Sequence, residues 1–242
     1  MLSLPHLAPI KIDLEHPNLM TGTQVRLNPQ ETPMPRLEPI PRSQAFDWRP
    51  LAEDGRQASP APILSVFMAQ YAYVRACAHA GSDLDNEVGG WLVGKWRADP
   101  HTGEQFVVIE STLPAVHTRQ GSAYLTFTQD SQVAMHALFE ERYPDSELVG
   151  WYHTHPRMGV FLSEYDTWLH ANFFPEIWQV ALVIEPHAVT GGFFIRGVNG
   201  FLDPRRYFGF YELNHGDDRS VVHWNNMQRR TAALPAKEAD EL

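Results

Sequence analysis

Cysteine is nearly absent from this chain: Cys77 stands alone among 242 residues. A single thiol cannot close an internal disulfide, and a cysteine-built zinc site is excluded. This usage suits a reducing compartment. Cys77 lies between Ala76 and Ala78 in an apolar stretch. It therefore reads as a small packing residue rather than a nucleophile. Basic charge is also scarce, with 19 Lys and Arg against 29 Asp and Glu and a formal charge of −10. No Lys/Arg run exceeds two residues, so nucleic acid is not expected as a partner. Long apolar runs are missing too. No stretch approaches the roughly 18 apolar residues that span a bilayer, and Pro5 and Pro9 interrupt the N-terminal segment where a signal peptide would need continuity. The expectation is a soluble, cytoplasmic protein with no membrane contact.

What is present is a globular composition, 43% hydrophobic and 12% aromatic, in a chain long enough for one sizeable domain. Proline is unevenly spread: 11 of the 19 prolines fall within residues 1–62. Proline fixes φ and lacks an N–H, so such a stretch stays extended or irregular. Residues 1–58 are therefore expected to be a tail or arm, able to contact a protein partner, with Phe46 and Trp48 free to dock on the core. A domain over 59–200 and a C-terminal extension over 201–242 complete the division.

The spacing of Leu64, Phe67, Tyr71, Val74 and Ala78 predicts a helix that starts at Ser59-Pro60 and ends on a left-handed Gly81. Residues 86–96 and 106–116 read as a hairpin across the turn 99–104. Residues 129–143 read as a helix with Val133, Leu138 and Phe139 inward, stopped by Pro144. Strands are expected at 147–155, 179–186 and 191–198, a short helix at 163–174, and a strand or packed tail at 208–214. Interspersed helices and strands imply an α/β or α+β fold around a mixed sheet.

The segment HTHPRMGVFLSEYD, residues 153–166, carries the chemistry. Alternate residues of a strand share a face, so His153 and His155 can converge at a strand end closed by Pro156. Ser163 and Asp166 are three apart, which is also the spacing of a helix capping box. Asp166 can nevertheless complete a His, His, Asp set with a fourth position open, as in catalytic zinc sites. Imidazole and carboxylate ligands without thiolate suit zinc better than magnesium or calcium. A base that is not a ligand is then required. Glu87 is the candidate, beside Gly89 and Gly90 for access and beside Val88, Trp91 and Leu92 for desolvation, which raises a carboxyl pKa. A solvent-facing Glu87 is the alternative. His170, four residues after Asp166, reads as a helix-surface histidine, with a place behind the metal ligands as the other option.

Together E-x-x-G-x-L-x-G (Glu87 to Gly94), H-x-H-P (His153 to Pro156) and F-L-S-x-x-D (Phe161 to Asp166) resemble the JAMM or MPN+ metalloprotease family. The resemblance runs from about residue 62 to 198. It implies a JAB-like mixed sheet flanked by helices, a layout shared with cytidine deaminases. It implies one catalytic Zn²⁺ on His153, His155 and Asp166, Glu87 as general base, and Ser163 donating to the developing oxyanion. It further implies an isopeptidase acting after the C-terminal glycine of ubiquitin or a ubiquitin-like protein, with segments near 114–127 and 157–162 walling the slot. Processing of a ubiquitin-like or sulfur-carrier precursor, and a non-catalytic scaffold, are the alternatives.

Overall fold

The computed structural model describes residues 34–51, 62–115, 119–121, 124–126, 129–214, 216 and 218–230. In chain order the elements are β1 (Arg36–Leu37), β2 (Ala45–Pro50), β3 (Ser65–Ala69), α1 (Gln70–Ala80), β4 (Gly89–Ala98) and β5 (Gln105–Pro114). They continue with β6 (Arg119–Gly121), β7 (Tyr124–Thr126), α2 (Gln129–Arg142), β8 (Glu147–Thr154) and α3 (Glu164–Phe173). The last are β9 (Val180–Glu185), β10 (Thr190–Phe194), β11 (Phe210–Leu213) and β12 (Met227–Arg230), and a single 3₁₀ turn precedes β2.

The main sheet runs β10-β9-β8-β4-β5-β3-β11-β2-β12, with β1 beside the end of β4, while β6 and β7 form a separate hairpin. The expected mixed α/β class is what the chain adopts: β8 pairs β9 in parallel and β4 antiparallel. The sheet's strand order places β4 and β8 at its heart. Almost every β4 side chain is buried, because neighbours cover both faces. Its glycines have a steric cause. A Cβ on Gly90 would sit 2.1 Å from the Leu113 carbonyl oxygen, and one on Gly94 would sit 1.7 Å from that of Val108. Gly94 falls where the register of β4 slips against β5.

Among the described residues the two larger buried clusters lie on opposite faces of the sheet, and a third, smaller one gathers Phe67, Phe106 and Leu213. On one face, Ala72, Tyr73, Ala76 and Ala80 of α1 cover Leu92, Ile109, Tyr152 and Leu182. On the other, Met135 of α2 and Leu169 of α3 meet Trp91, Val93, Trp151 and Val183. The one-residue alternation along β8 thus sends Tyr152 to the α1 side and Trp151 to the α3 side. His153 follows Trp151 onto the α3 side.

Several expectations change. The helix expected from Ser59 begins at Gln70, because Ser65–Ala69 is a strand buried between β5 and β11. Such a strand shows no alternation, and its apolar run mimicked helical spacing. Tyr71 and Val74 consequently face outward on α1. Gly81 has φ −80° and is not left-handed. Val133 is exposed, whereas Met135 is buried and Phe139 packs inward against the same core, as expected. The sheet also exceeds 59–200: β2 comes from the proline-rich segment and pairs with β11 and β12. Ser59 and residues 231–242 lie outside the described residues. Among the described residues no helix is long and apolar enough to cross a membrane.

Candidate metal centre

The β4–β8 register builds the site. Gly89 lies opposite His153, so two residues further along antiparallel chains Glu87 lies opposite His155. The pairing continues past the strands: Thr154 N donates to Val88 O at 2.8 Å, and Val88 N donates to Thr154 Oγ1 at 2.9 Å. His155 N still donates to Ile184 O of β9 at 2.9 Å. Beyond Pro156 the chain turns through Arg157 at φ 62°, whose N–H donates to the Glu185 carboxylate at 2.9 Å. Both histidines are thereby held by backbone on two sides.

Asp166 arrives from α3. Ser163 caps that helix in a reciprocal box: its Oγ accepts from Asp166 N at 3.1 Å, and Asp166 Oδ2 accepts from Ser163 N at 2.7 Å. The Ser163 hydroxyl also donates to Asp166 Oδ2 at 2.7 Å. The capping box is formed, and the same cap aims the Asp166 carboxylate toward the histidines. To serve an oxyanion, the hydroxyl proton has to swing away from Asp166.

Three donor sets converge. His153 Nε2 and His155 Nε2 are 2.9 Å apart. Asp166 Oδ1 is 3.3 Å from the first and Oδ2 is 3.4 Å from the second. A tetrahedral zinc with ligands at about 2.0–2.1 Å spaces its donors by about 3.3–3.4 Å; the two histidine–carboxylate separations match this, and the two imidazole nitrogens need to part by only about 0.4 Å to admit one ion. Imidazole lone pairs and a carboxylate packed this closely repel one another unless a cation or proton lies between them. Both Nδ1 atoms are buried without a hydrogen-bond partner among the described residues, so the Nε2 atoms are the ones directed at the centre. All three residues are buried.

The electrostatics agree with a cation site. Burial lowers the His153 pKa against the opposing pull of Asp166, leaving a neutral ring able to donate a lone pair. Burial works against ionisation of Asp166, but positive charge at the facing imidazoles, as when they carry protons, and the Ser163 hydroxyl outweigh it and hold the carboxyl well below its usual range. Glu87 is buried rather than solvent-facing, at 2% exposure. Its Oε1 lies 3.9 Å from His155 Nε2. Burial, then the charge of Asp166, pushes its carboxyl up to about 8. Among the described residues its carboxylate receives no hydrogen bond. The structure thus brings all five expected site residues together.

His170 departs from the surface reading, with only 1% exposure. Its Nδ1 accepts the Trp151 indole N–H at 3.0 Å. Trp151 was not singled out by sequence, although its position two before His153 puts it on the same strand face. A cavity of about 770 Å³ opens beside Ser163, lined by Phe161, Leu162, Glu164, Thr167, Pro204 and Arg205. Leu162 N donates to Pro204 O at 2.8 Å, which brings a segment beyond residue 200 to the site. Phe161 and Leu162 belong to one expected wall; of the other, 114–127, residues 116–118, 122–123 and 127 lie outside the described residues.

A buried two-histidine, one-carboxylate centre with an adjacent carboxyl, on a mixed sheet, defines a candidate metallohydrolase domain. Residues 63–175 match the family described as JAB1/Mov34/MPN/PAD-1 ubiquitin protease. This match, a little under half of the chain, makes residues 63–175 similar to the JAB/MPN domain, and the family of that domain includes zinc metallopeptidases. It is 29% identical over 164 residues to COP9 signalosome complex subunit 5 of Candida albicans, covering 64% of this chain and 24% of that protein. Subunit 5 of Candida glabrata is 26% identical over 172 residues, 67% of this chain and 36% of that protein. NAD(+) hydrolase TcpA of a Theionarchaea archaeon is 35% identical over 108 residues, 44% of this chain and 29% of that protein. The chain therefore spans about a quarter to a third of these relatives' length. The solution structure of protein DSY2949 from Desulfitobacterium hafniense superposes with a TM-score of 0.43 at 21% identity, over 58% of this chain and 90% of that one.

Proposed function

We propose that this chain is a zinc-dependent isopeptidase that hydrolyses the bond after the C-terminal glycine of a ubiquitin-like protein. The observation that carries this reading is the convergence of His153 Nε2, His155 Nε2 and the Asp166 carboxylate, with Glu87 3.9 Å from the cluster, inside a JAB/MPN domain. Zinc held by His153, His155 and Asp166 would polarise the scissile carbonyl and make water acidic near neutral pH.

The protein's own groups supply the rest. Glu87 has no other hydrogen-bond duty among the described residues and lies close enough to accept a proton from the attacking water and return it to the leaving lysine amine. Its raised pKa suits both halves of that exchange near neutral pH. Ser163 Oγ, released from Asp166, would donate to the developing oxyanion. The backbone-held histidines and the capped Asp166 cost little reorganisation, as preorganised electrostatic catalysis requires. The cavity beside Ser163 offers room for residues flanking the scissile bond.

The test is cleavage of two substrates by the purified protein: a ubiquitin-like protein joined to a lysine ε-amine, and a linear precursor fusion. Cleavage of the first, lost with a chelator and restored by zinc, is the expected outcome. Cleavage of the linear fusion alone would favour a processing protease. No cleavage of either, with zinc bound, would favour a scaffold and overturn the proposal.

A further inference from the structure

The rings behind the metal centre form an ordered stack. The Trp151 indole lies against the His153 imidazole with centroids 4.5 Å apart and planes within 8°. Trp151 is fully buried, so its indole N–H needs an acceptor. His170 Nδ1 supplies it at 3.0 Å. Because Nδ1 accepts, the neutral ring carries its own proton on Nε2. Phe174 closes the stack, within 5.9 Å of both Trp151 and His170.

The topology makes this more than core filling. Trp151 and His153 are alternate residues of β8, so a shift of the indole presses directly on a proposed ligand. Asp166 and His170 are one helical turn apart on α3, so the helix that delivers the carboxylate also fixes the indole. His153 Nδ1 has no hydrogen-bond partner among the described residues. Metal-binding histidines usually have their rotation set by a hydrogen bond at the second nitrogen. Here the face of the ring is gripped instead.

We infer that Trp151 and His170 are positioning residues that set the plane of the His153 imidazole, the indole by stacking and His170 by locking the indole through its N–H. The inference rests on the reading of His153 as a zinc ligand. Neither residue touches substrate.

The experiment measures zinc affinity by competition with a chromogenic chelator, alongside thermal unfolding. His170→Leu removes the acceptor. His170→Asn replaces it, since Asn Oδ1 occupies about the place of His Nδ1. Loss of an outer partner typically weakens metal binding about 10–100-fold. That loss is expected in His170→Leu, with His170→Asn within a few-fold of wild type. In a Trp151→Phe background, which has no indole N–H, His170→Leu should add little further loss. Wild-type affinity in His170→Leu, no rescue by His170→Asn, or an undiminished effect in the Trp151→Phe background would each overturn the inference. Should His170→Leu fail to fold, Trp151→Phe alone decides: zinc bound at least about tenfold more weakly supports the inference, and unchanged binding refutes it. Wild-type protein that binds no zinc would overturn the metal-centre reading itself, and this inference with it.

Discussion

Glu87 and Glu212 are both carboxylates sealed inside the same fold, at 2% and 0% exposure. Glu212, on β11, is saturated. One oxygen accepts from Trp48 Nε1 and Ser220 Oγ, the other from Gln70 Nε2 and Val221 N. Those four donors come from β2, α1 and the loop before β12, so one side chain ties together pieces far apart in sequence. Glu87 has none of this. Among the described residues no donor reaches its carboxylate, and its nearest ionisable neighbour is a proposed metal ligand. Burying a carboxyl without partners costs free energy, and a fold keeps such a group where it has work to do. The saturated carboxylate is structural. The bare one is available to a proton in transit.

The same conservative change at each position should separate the two roles. Glu87→Gln is expected to lower the cleavage rate about 10²–10⁴-fold, the usual share of a general base, while zinc stays bound. Its folding stability should be unchanged or higher, because a poorly solvated acid has been replaced by a neutral amide. Glu212→Gln should do the opposite. It offers one acceptor oxygen and turns an NH₂ group toward donors, leaving buried N–H and O–H groups unpaired. A loss of about 2–4 kcal/mol is expected in denaturant unfolding, with activity per folded molecule retained. A large rate loss at 212 with no stability loss would break the comparison.

A pH series on the metal-free protein sharpens it. The folded pKa of Glu87, about 8, stands above its ordinary value of 4.5, so the folded state holds a proton that the unfolded state has released. Its contribution is complete below the unfolded value and is lost as pH rises toward 8. His79 and His153 are lowered below 6.5 by burial, so they add stability as pH rises, but only up to about that point. Between pH 6.5 and 8 Glu87 is left alone among these groups. Stability of the metal-free protein should fall across that window, and the fall should vanish in Glu87→Gln. The smallest effect belongs to Trp48→Phe, which removes one of the four donors to Glu212. It should cost about 0.5–1.5 kcal/mol and leave zinc binding untouched.

Legibility in the sequence followed the range of the interactions. The two histidines were readable because a strand's period of two is local, and the S-x-x-D cap because it closes within one turn. The hairpin β4–β5 was readable from its turn. Ser65–Ala69 gives no strand signal, because a strand covered on both faces has no alternation to show. The strand Ala45–Pro50 hid among prolines, although its own proline stands at the very end. Glu212 gave no local sign, since Trp48 is 164 residues away and Gln70 is 142. The burial of His170 is hidden for the same reason: its partner Trp151 sits on another element, and nothing near position 170 announces it.

Zinc content of the purified protein tests the central claim most directly. Wild type, Glu87→Gln and Asp166→Ala are measured by elemental analysis at equal folded concentration. The expected result is about one zinc per chain in the first two, matching a single three-ligand site, and none in the third. Zinc retained at full occupancy in Asp166→Ala, or absent from the folded wild type after incubation with the ion, would contradict it.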